Sequence, residues 1–193
     1  FSNFGIYSSD ITIDVNEKKI KFHKKKFEKW KITLIDTGTD TQTGGRLKKI
    51  KNYLKNTFCF TYGDGLSDID INKTIKYHKK HKKLATMTTV QPAGRFGSVK
   101  IKNNLVQNFL EKPIGDGGWI NGGFFVLSKK VLDFIDNDMT VWEQEPLINL
   151  AKQKQLYSFK HKGFWHPMDT IRDKEYLEKL WNKNNCPWKK WNV

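Results

Sequence analysis

Alternation and helical spacing of apolar residues divide most of the chain into short elements. Residues 30–38, WKITLIDTG, alternate apolar and polar positions and end in a turn, which predicts a strand. Residues 43–56 open on Thr43-Gly44-Gly45 and then carry apolar side chains at 47, 50 and 54, the spacing of a helix preceded by glycines. TFCFTYG (57–63) is a short buried strand, with Cys59 expected in the core. Over 68–83, Ile71, Ile75 and His78 share one face of an amphipathic helix, with Asp70 or Asn72 as its cap. LATMTTV (84–90) is a strand, and FGSVKI (96–101) with LVQNFLEKP (105–113) forms a hairpin around Asn103-Asn104. WINGGFFVLS (119–128) is a strand that holds two glycines. Helical segments follow over 129–136 and 142–153, a strand over 156–165, and a helix over 169–184.

Strand and helix alternate throughout, which predicts an α/β class with a mixed, mainly parallel sheet, the hairpin supplying an antiparallel part. No repeat or low-complexity linker interrupts the pattern, so residues 1–193 read as a single domain. Apolar residues make up 37% of the chain and aromatics 13%, enough for a packed core. No apolar run approaches the ~20 residues of a membrane span. The two cysteines, Cys59 and Cys186, are far apart and match no metal spacing; they read as reduced thiols of a cytoplasmic protein.

The net charge of +15 raises the question of nucleic acid. Lysine supplies nearly all of it, and the arginines are Arg46, Arg95 and Arg172. Base readout favours the bidentate arginine, so the lysines read as solvated faces and no nucleic-acid or membrane partner is expected.

The unusual residues fall where strands end, which is where open α/β sheets collect ligands. Asp64 stands between Gly63 and Gly65 after a strand; it suits a Mg²⁺ ion beside a phosphate, and equally an Asp-Gly turn. Asp169 is either a second oxygen ligand of the same metal or the cap of the following helix. Glu111 could accept hydrogen bonds from sugar hydroxyls and Lys112 could balance a phosphate, or the two form a surface ion pair. Asn121 could meet polyol hydroxyls, with Gly122 and Gly123 marking either close ligand approach or a β-bulge. Gly44, Gly45 and Arg46 could wrap a phosphate or base at a helix start, or form only a flexible entry.

In this order, TLIDTG, TGGRLK, FTYGDGL, GRFG, EKP, GDGGWINGGFFVL, WEQEPL, GFWHPMDTIRD and PWKKW resemble the sugar-nucleotide pyrophosphorylases, most closely the glucose-1-phosphate cytidylyltransferases among them. The likeness covers residue 30 to the C-terminus, and more weakly the first 30. It implies the nucleotide-diphospho-sugar transferase fold, a Rossmann-like mixed sheet. It implies the nucleotidyltransferase reaction CTP plus glucose 1-phosphate giving CDP-glucose and pyrophosphate, with Mg²⁺ as cofactor. Asp64 and Asp169 match the metal ligands. Catalytic roles fall to these two with Lys112 and Arg46. Thr41, Gly44, Gly45, Arg46 and Gly63 match the nucleotide side, and Glu111, Lys112, Asn121 and Gly122 the sugar-phosphate side. A homo-oligomer and a role in surface-polysaccharide sugars such as those of O-antigen lipopolysaccharide are further implications. The alternatives are a related thymidylyl- or uridylyltransferase, or a basic domain without catalysis. The family opens on a Gly-rich triphosphate loop that has no counterpart here, and position 1 is Phe. The chain is therefore expected to lack the first strands of a family member and to turn over poorly alone.

Overall fold

The computed structural model describes residues 10–23, 30–92, 98–110 and 118–190. Two compact units divide it, Phe1–Asp36 and Thr37–Val193. In the first, β1 (Ile11–Asp14) and β2 (Lys19–Phe22) pair antiparallel as a hairpin. The strand expected over 30–38 is absent. Residues 30–38 form no ladder, and Leu34 is 77% exposed. An alternating pattern makes a strand only where a neighbouring strand pairs with it, and no ladder among the described residues includes these.

The second unit is built on a four-stranded sheet. In spatial order its strands are β3 (Thr57–Thr61), β8 (Ile120–Ser128), β5 (Ala85–Val90) and β9 (Leu156–Lys160). β5 and β9 pair parallel, while β8 runs against both β3 and β5. Three strands therefore share one direction and β8 opposes them. The antiparallel component comes from β8, not from the expected hairpin. That hairpin, β6 (Ser98–Lys102) with β7 (Leu105–Leu110), forms a separate two-stranded sheet turned at Asn103-Asn104.

The pleat of β8 assigns its side chains to two layers. Phe125 and Leu127, both under 2% exposed, face α1 (Thr43–Lys49), α3 (Glu145–Lys152) and the 3₁₀ segment Lys129–Phe134. Leu47, Val131, Ile135, Trp142, Leu147 and Leu150 complete that core. On the other face lies α2 (Ile71–His81). Asp70 caps it, its carboxylate accepting from Lys73 N at 2.9 Å, and His78 docks against the fully buried Thr86. Ile71, expected on the buried face, is exposed; Thr74 and His78 are the buried residues of this helix. Cys59 is exposed, not buried: on edge strand β3 it points away from the core that Phe58 and Phe60 enter.

The strand expected over 156–165 is two. β9 joins the main sheet. Residues 161–164 then turn, and β10 (Trp165–Pro167) pairs antiparallel with β4 (Gly65–Ser67). This small ladder brings the end of one long sequence segment beside the GDG turn. α4 (Ile171–Asn182) follows.

Candidate active site

Asp64 leaves β3 between two glycines and enters β4. Neither glycine is demanded by the fold. Gly63 has nothing within 4 Å of where a Cβ would stand, and around Gly65 the nearest atoms lie at 3.9 Å. Neither adopts the left-handed backbone that singles out Gly38 and Gly123. The turn therefore leaves open space beside a carboxylate. Asp169 reaches the same place from the other side. β10 pairs Pro167 with Gly65, and Met168 N donates to Asp64 O at 2.7 Å. Asp169 does not cap α4. Thr170 does, accepting from Asp173 N at 3.2 Å while Asp173 Oδ2 accepts from Thr170 N at 3.0 Å. This capping box releases Asp169 toward a cleft of about 190 Å³ that it lines with Asp64, Asn121, Gly122 and Trp165.

Among the described residues, no group of three or more His, Cys, Asp and Glu side chains gathers as a metal cage. Two carboxylates on one cleft remain, an oxygen-only donor set. Hard-oxygen pairs of this kind suit Mg²⁺, which takes one or two carboxylates and fills its other positions with phosphate oxygens and water. His166 stays outside this set: its Nε2 lies 3.1 Å from Asp173 Oδ1, behind the helix cap.

A larger cleft of about 540 Å³ adjoins it at the Asp64 turn. Arg46, Leu47, Ile50, Phe60, Gly63 and Glu143 line it, and Thr61, Tyr62 and Asp64 are common to both clefts. Its walls are mainly apolar, with Arg46 and Glu143 supplying opposite charges. The Arg46 guanidinium is held in place, donating to Thr37 Oγ1 at 2.6 Å and Thr39 O at 3.0 Å. Lys49, which the sequence reading passed over, clamps the same loop through Thr37 O at 2.9 Å and pairs with Asp138 at 2.7 Å.

The expectation that the N–H groups of Gly44 and Gly45 stand open at the helix start needs correction. The two glycine N–H groups do not point outward. Both donate to Thr140 O, at 3.0 and 3.3 Å. A Cβ on Gly44 would stand 2.7 Å from Thr140 O, and one on Gly45 2.6 Å from Asp138 Cα. The pair lets helix α1 lie directly on the 138–140 backbone. Thr41 is buried, its hydroxyl donating to Thr37 O at 2.6 Å.

Gly122 and Gly123 sit at a β-bulge, where the register of β5 against β8 shifts between Met87 and Thr89. Gly123 has φ +77°, and a Cβ there would lie 2.7 Å from Tyr62 Cδ2. The close approach is made by the protein's own tyrosine. Asn121 fastens the bulge: its Oδ1 accepts from Gly123 N at 2.9 Å and its Nδ2 donates to Tyr62 Oη at 3.1 Å. Trp165 Nε1 donates to Gly122 O at 2.8 Å, closing the floor of the smaller cleft. Both polar ends of Asn121 thus make a hydrogen bond within the fold.

Glu111 and Lys112, together with the GRFG stretch, lie outside the described residues. Of the sequence candidates, the structure brings Asp64, Asp169, Asn121 and Gly122 to one cleft and Arg46 and Gly63 to its neighbour. Tyr62, Glu143 and Trp165 were missed. Each stood inside a quoted motif, but nothing local to an FTYG or a WEQE marks its side chain as facing a cleft.

A family model described as nucleotidyl transferase matches residues 3–178. The chain is 53% identical over 193 residues to glucose-1-phosphate cytidylyltransferase of Salmonella typhimurium, covering 99% of this chain and 75% of that protein. It is 43% identical over 166 residues to a probable glucose-1-phosphate cytidylyltransferase of Bacillus subtilis, covering 85% of this chain and 65% of that one. The solved structure of HddC from Yersinia pseudotuberculosis superposes with TM-score 0.54 at 24% identity, over 74% of this chain and 64% of its own, a likeness of fold. The chain thus spans three quarters of the Salmonella relative and under two thirds of the solved structure. With the motif series, the paired clefts at Asp64 and these matches in agreement, the chain belongs to the nucleotidyl transferase family.

Proposed function

We propose that the protein transfers a cytidylyl group from CTP to glucose 1-phosphate, releasing pyrophosphate and forming CDP-glucose. The observation that carries this reading is the meeting of Asp64 and Asp169 on one cleft, from positions 105 residues apart, in a chain whose curated relatives are named for that reaction. The chemistry asks little acid–base help. A sugar phosphate with a second pKa near ~6 is largely dianionic at pH 7, so its oxygen attacks without a general base. It displaces pyrophosphate in line at the α-phosphorus: the bond from phosphorus to the sugar-phosphate oxygen forms as the bond to the bridging oxygen breaks.

The main obstacle is repulsion between two polyanions. Nucleotidyl transferases as a family generally use a divalent metal. Here Asp64 and Asp169 would hold Mg²⁺, which when bound supplies charge neutralisation at the reacting phosphate. The remaining work belongs to the chain's own side chains. Arg46, fixed by Thr37 and Thr39, sets a positive charge on the larger cleft. The apolar wall of Leu47, Ile50 and Phe60 offers a dry surface to a base or sugar. Lys112 and Glu111 would serve the incoming sugar phosphate, on the strength of the motif resemblance. The open space beside Gly63 gives a phosphate room to approach the Asp64 turn.

Incubating the protein with glucose 1-phosphate, Mg²⁺ and each nucleoside triphosphate in turn, with product separation, tests this. CDP-glucose and pyrophosphate are expected with CTP. Asp64→Asn and Asp169→Asn are each expected to lower kcat by roughly 10²–10³-fold. A different preferred triphosphate would move the base assignment, and unimpaired aspartate variants would overturn the site.

A further inference from the structure

Glu143 and Arg46 reach the larger cleft about one helical turn apart. Thr43 and Arg46 both line it, and at a spacing of three they share a face of α1. The Thr43 hydroxyl accepts from Trp142 N at 2.9 Å and gives its single proton to Glu143 Oε2 at 2.7 Å. This pins the half-buried Glu143 carboxylate at the start of α1, across 100 positions of sequence. One turn on, the Arg46 guanidinium is fixed by its bonds to Thr37 Oγ1 and Thr39 O, which leave it further N–H donors. A carboxylate that accepts and a guanidinium that donates therefore stand on one cleft, each held by the protein before any ligand arrives.

The rest of that cleft is apolar. Leu47, Ile50 and Phe60 line it, and the Phe60 ring packs on Phe125 and Trp142 with centroids 5.7 and 6.2 Å away. Flat aromatic rings such as nucleobases settle on walls of this kind, and the few polar groups beside the wall then decide which ring is accepted. The pyrimidines differ in a way that such groups can read. Cytosine carries an exocyclic amino group, a donor, next to an acceptor ring nitrogen. Uracil and thymine carry a keto oxygen there, an acceptor, next to a ring N–H. An ionised carboxylate accepts at both oxygens and donates nothing, so it pairs with the amino group and opposes the keto oxygen.

We infer that Glu143 is a specificity-determining residue, whose carboxylate accepts from the amino group of cytosine and turns away uracil and thymine. This rests on the reading of the larger cleft as the nucleotide side of a cytidylyltransferase. Thr43 is the positioning residue that holds the carboxylate for this task. A wrong base leaves two acceptors facing each other, and one such mismatch is enough to separate related substrates by about 10–100-fold.

CTP and UTP test this, because they share ribose and triphosphate and differ only at the exocyclic group and the ring nitrogen beside it. The ratio of their affinities cancels every contact to phosphate, metal and sugar. Binding of each is followed by titration calorimetry with Mg²⁺, and kcat/KM is measured with glucose 1-phosphate, in the native protein, Glu143→Gln and Glu143→Ala. The native protein is expected to prefer CTP. Glu143→Gln keeps an acceptor for Thr43 and adds an amide donor for a keto oxygen. It should weaken CTP and tighten UTP, moving their ratio by about 10–100-fold, with KM for glucose 1-phosphate within about 2-fold. Glu143→Ala should weaken CTP without a gain for UTP. A merely structural role would weaken both triphosphates together. A ratio unmoved in both variants, with CTP still preferred by the native protein, would overturn the inference and leave the cytidylyl reading standing. A native protein that binds UTP as tightly as CTP would sink the base assignment and the inference with it.

Discussion

Glycine takes three distinct parts in this chain, and each can be tested one residue at a time. Gly45 is required by packing: its missing Cβ lets α1 touch the Asp138 backbone. Gly123 is required by conformation, at φ +77° under the Tyr62 ring. Gly63 is required by neither. Gly45→Ala should therefore cost about 1–3 kcal/mol of stability, read from a urea midpoint at constant slope. Gly63→Ala should leave stability within about 0.5 kcal/mol and still lower turnover, because the added methyl projects into space that a phosphate would use. Equal losses of stability in both variants would remove the argument that Gly63 serves a ligand. All three glycines sit in GG or GDG pairs that look alike in the sequence. What separates them is which atoms of distant segments come near, and no local pattern contains that.

Among the elements, the start of α4 bears most directly on the site. Thr170 and Asp173 satisfy each other's backbone N–H groups, and the Thr170 hydrogen bond is the first cause holding the Asp173 carboxyl below its ordinary pKa. Because the cap falls on Thr170, the preceding Asp169 is left outside the helix with its carboxylate uncommitted to the backbone. Thr170→Ala should lower stability by about 1 kcal/mol, and Thr170→Ser should restore most of it, in thermal or chemical denaturation. No change in Thr170→Ala would mean that the box contributes nothing beyond water. The capping motif was visible as residues, since Asp169, Thr170 and Asp173 stand in the right order, but the choice between Asp169 and Thr170 was not. It depended on β10, which turns Asp169 toward β4. The opposite failure occurred at 30–38, where a clean alternation formed no strand, and at 156–165, where one expected strand became two. In both cases the local pattern was compatible with a strand, and which strands came to pair in a ladder decided the outcome.

At the level of the whole molecule, the sheet is clamped between a large apolar layer and a smaller polar one centred on α2. His78, 4% exposed, places Nδ1 2.9 Å from Thr86 Oγ1, and His81 Nε2 lies 2.6 Å from the same hydroxyl. Burial first, and the neighbouring His81 second, lower the His78 pKa from 6.5 to about 4. Between those values the unfolded chain binds the proton more readily than the folded one. Stability is therefore full above pH 6.5 and falls as the pH drops toward 4, by at most about 3 kcal/mol from this group. Urea midpoints at pH 7 and pH 5 should differ in the native protein and converge in His78→Gln; identical midpoints in the native protein would show that His78 is not held neutral.

The amphipathic spacing of α2, the strands at 57–61, 85–90 and 120–128, the hairpin at 98–110 and the motif series leading to the family were all determined by the order of residues alone. Each depends on periodicity or on short strings of particular side chains. Which glycines face a neighbour, which aspartate caps and which faces a cleft, and the joining of Tyr62 to Asn121 were decided only by tertiary structure. Those outcomes depend on which backbones the sheet and the β4–β10 ladder bring together, and contacts between distant segments leave no periodic trace in either segment.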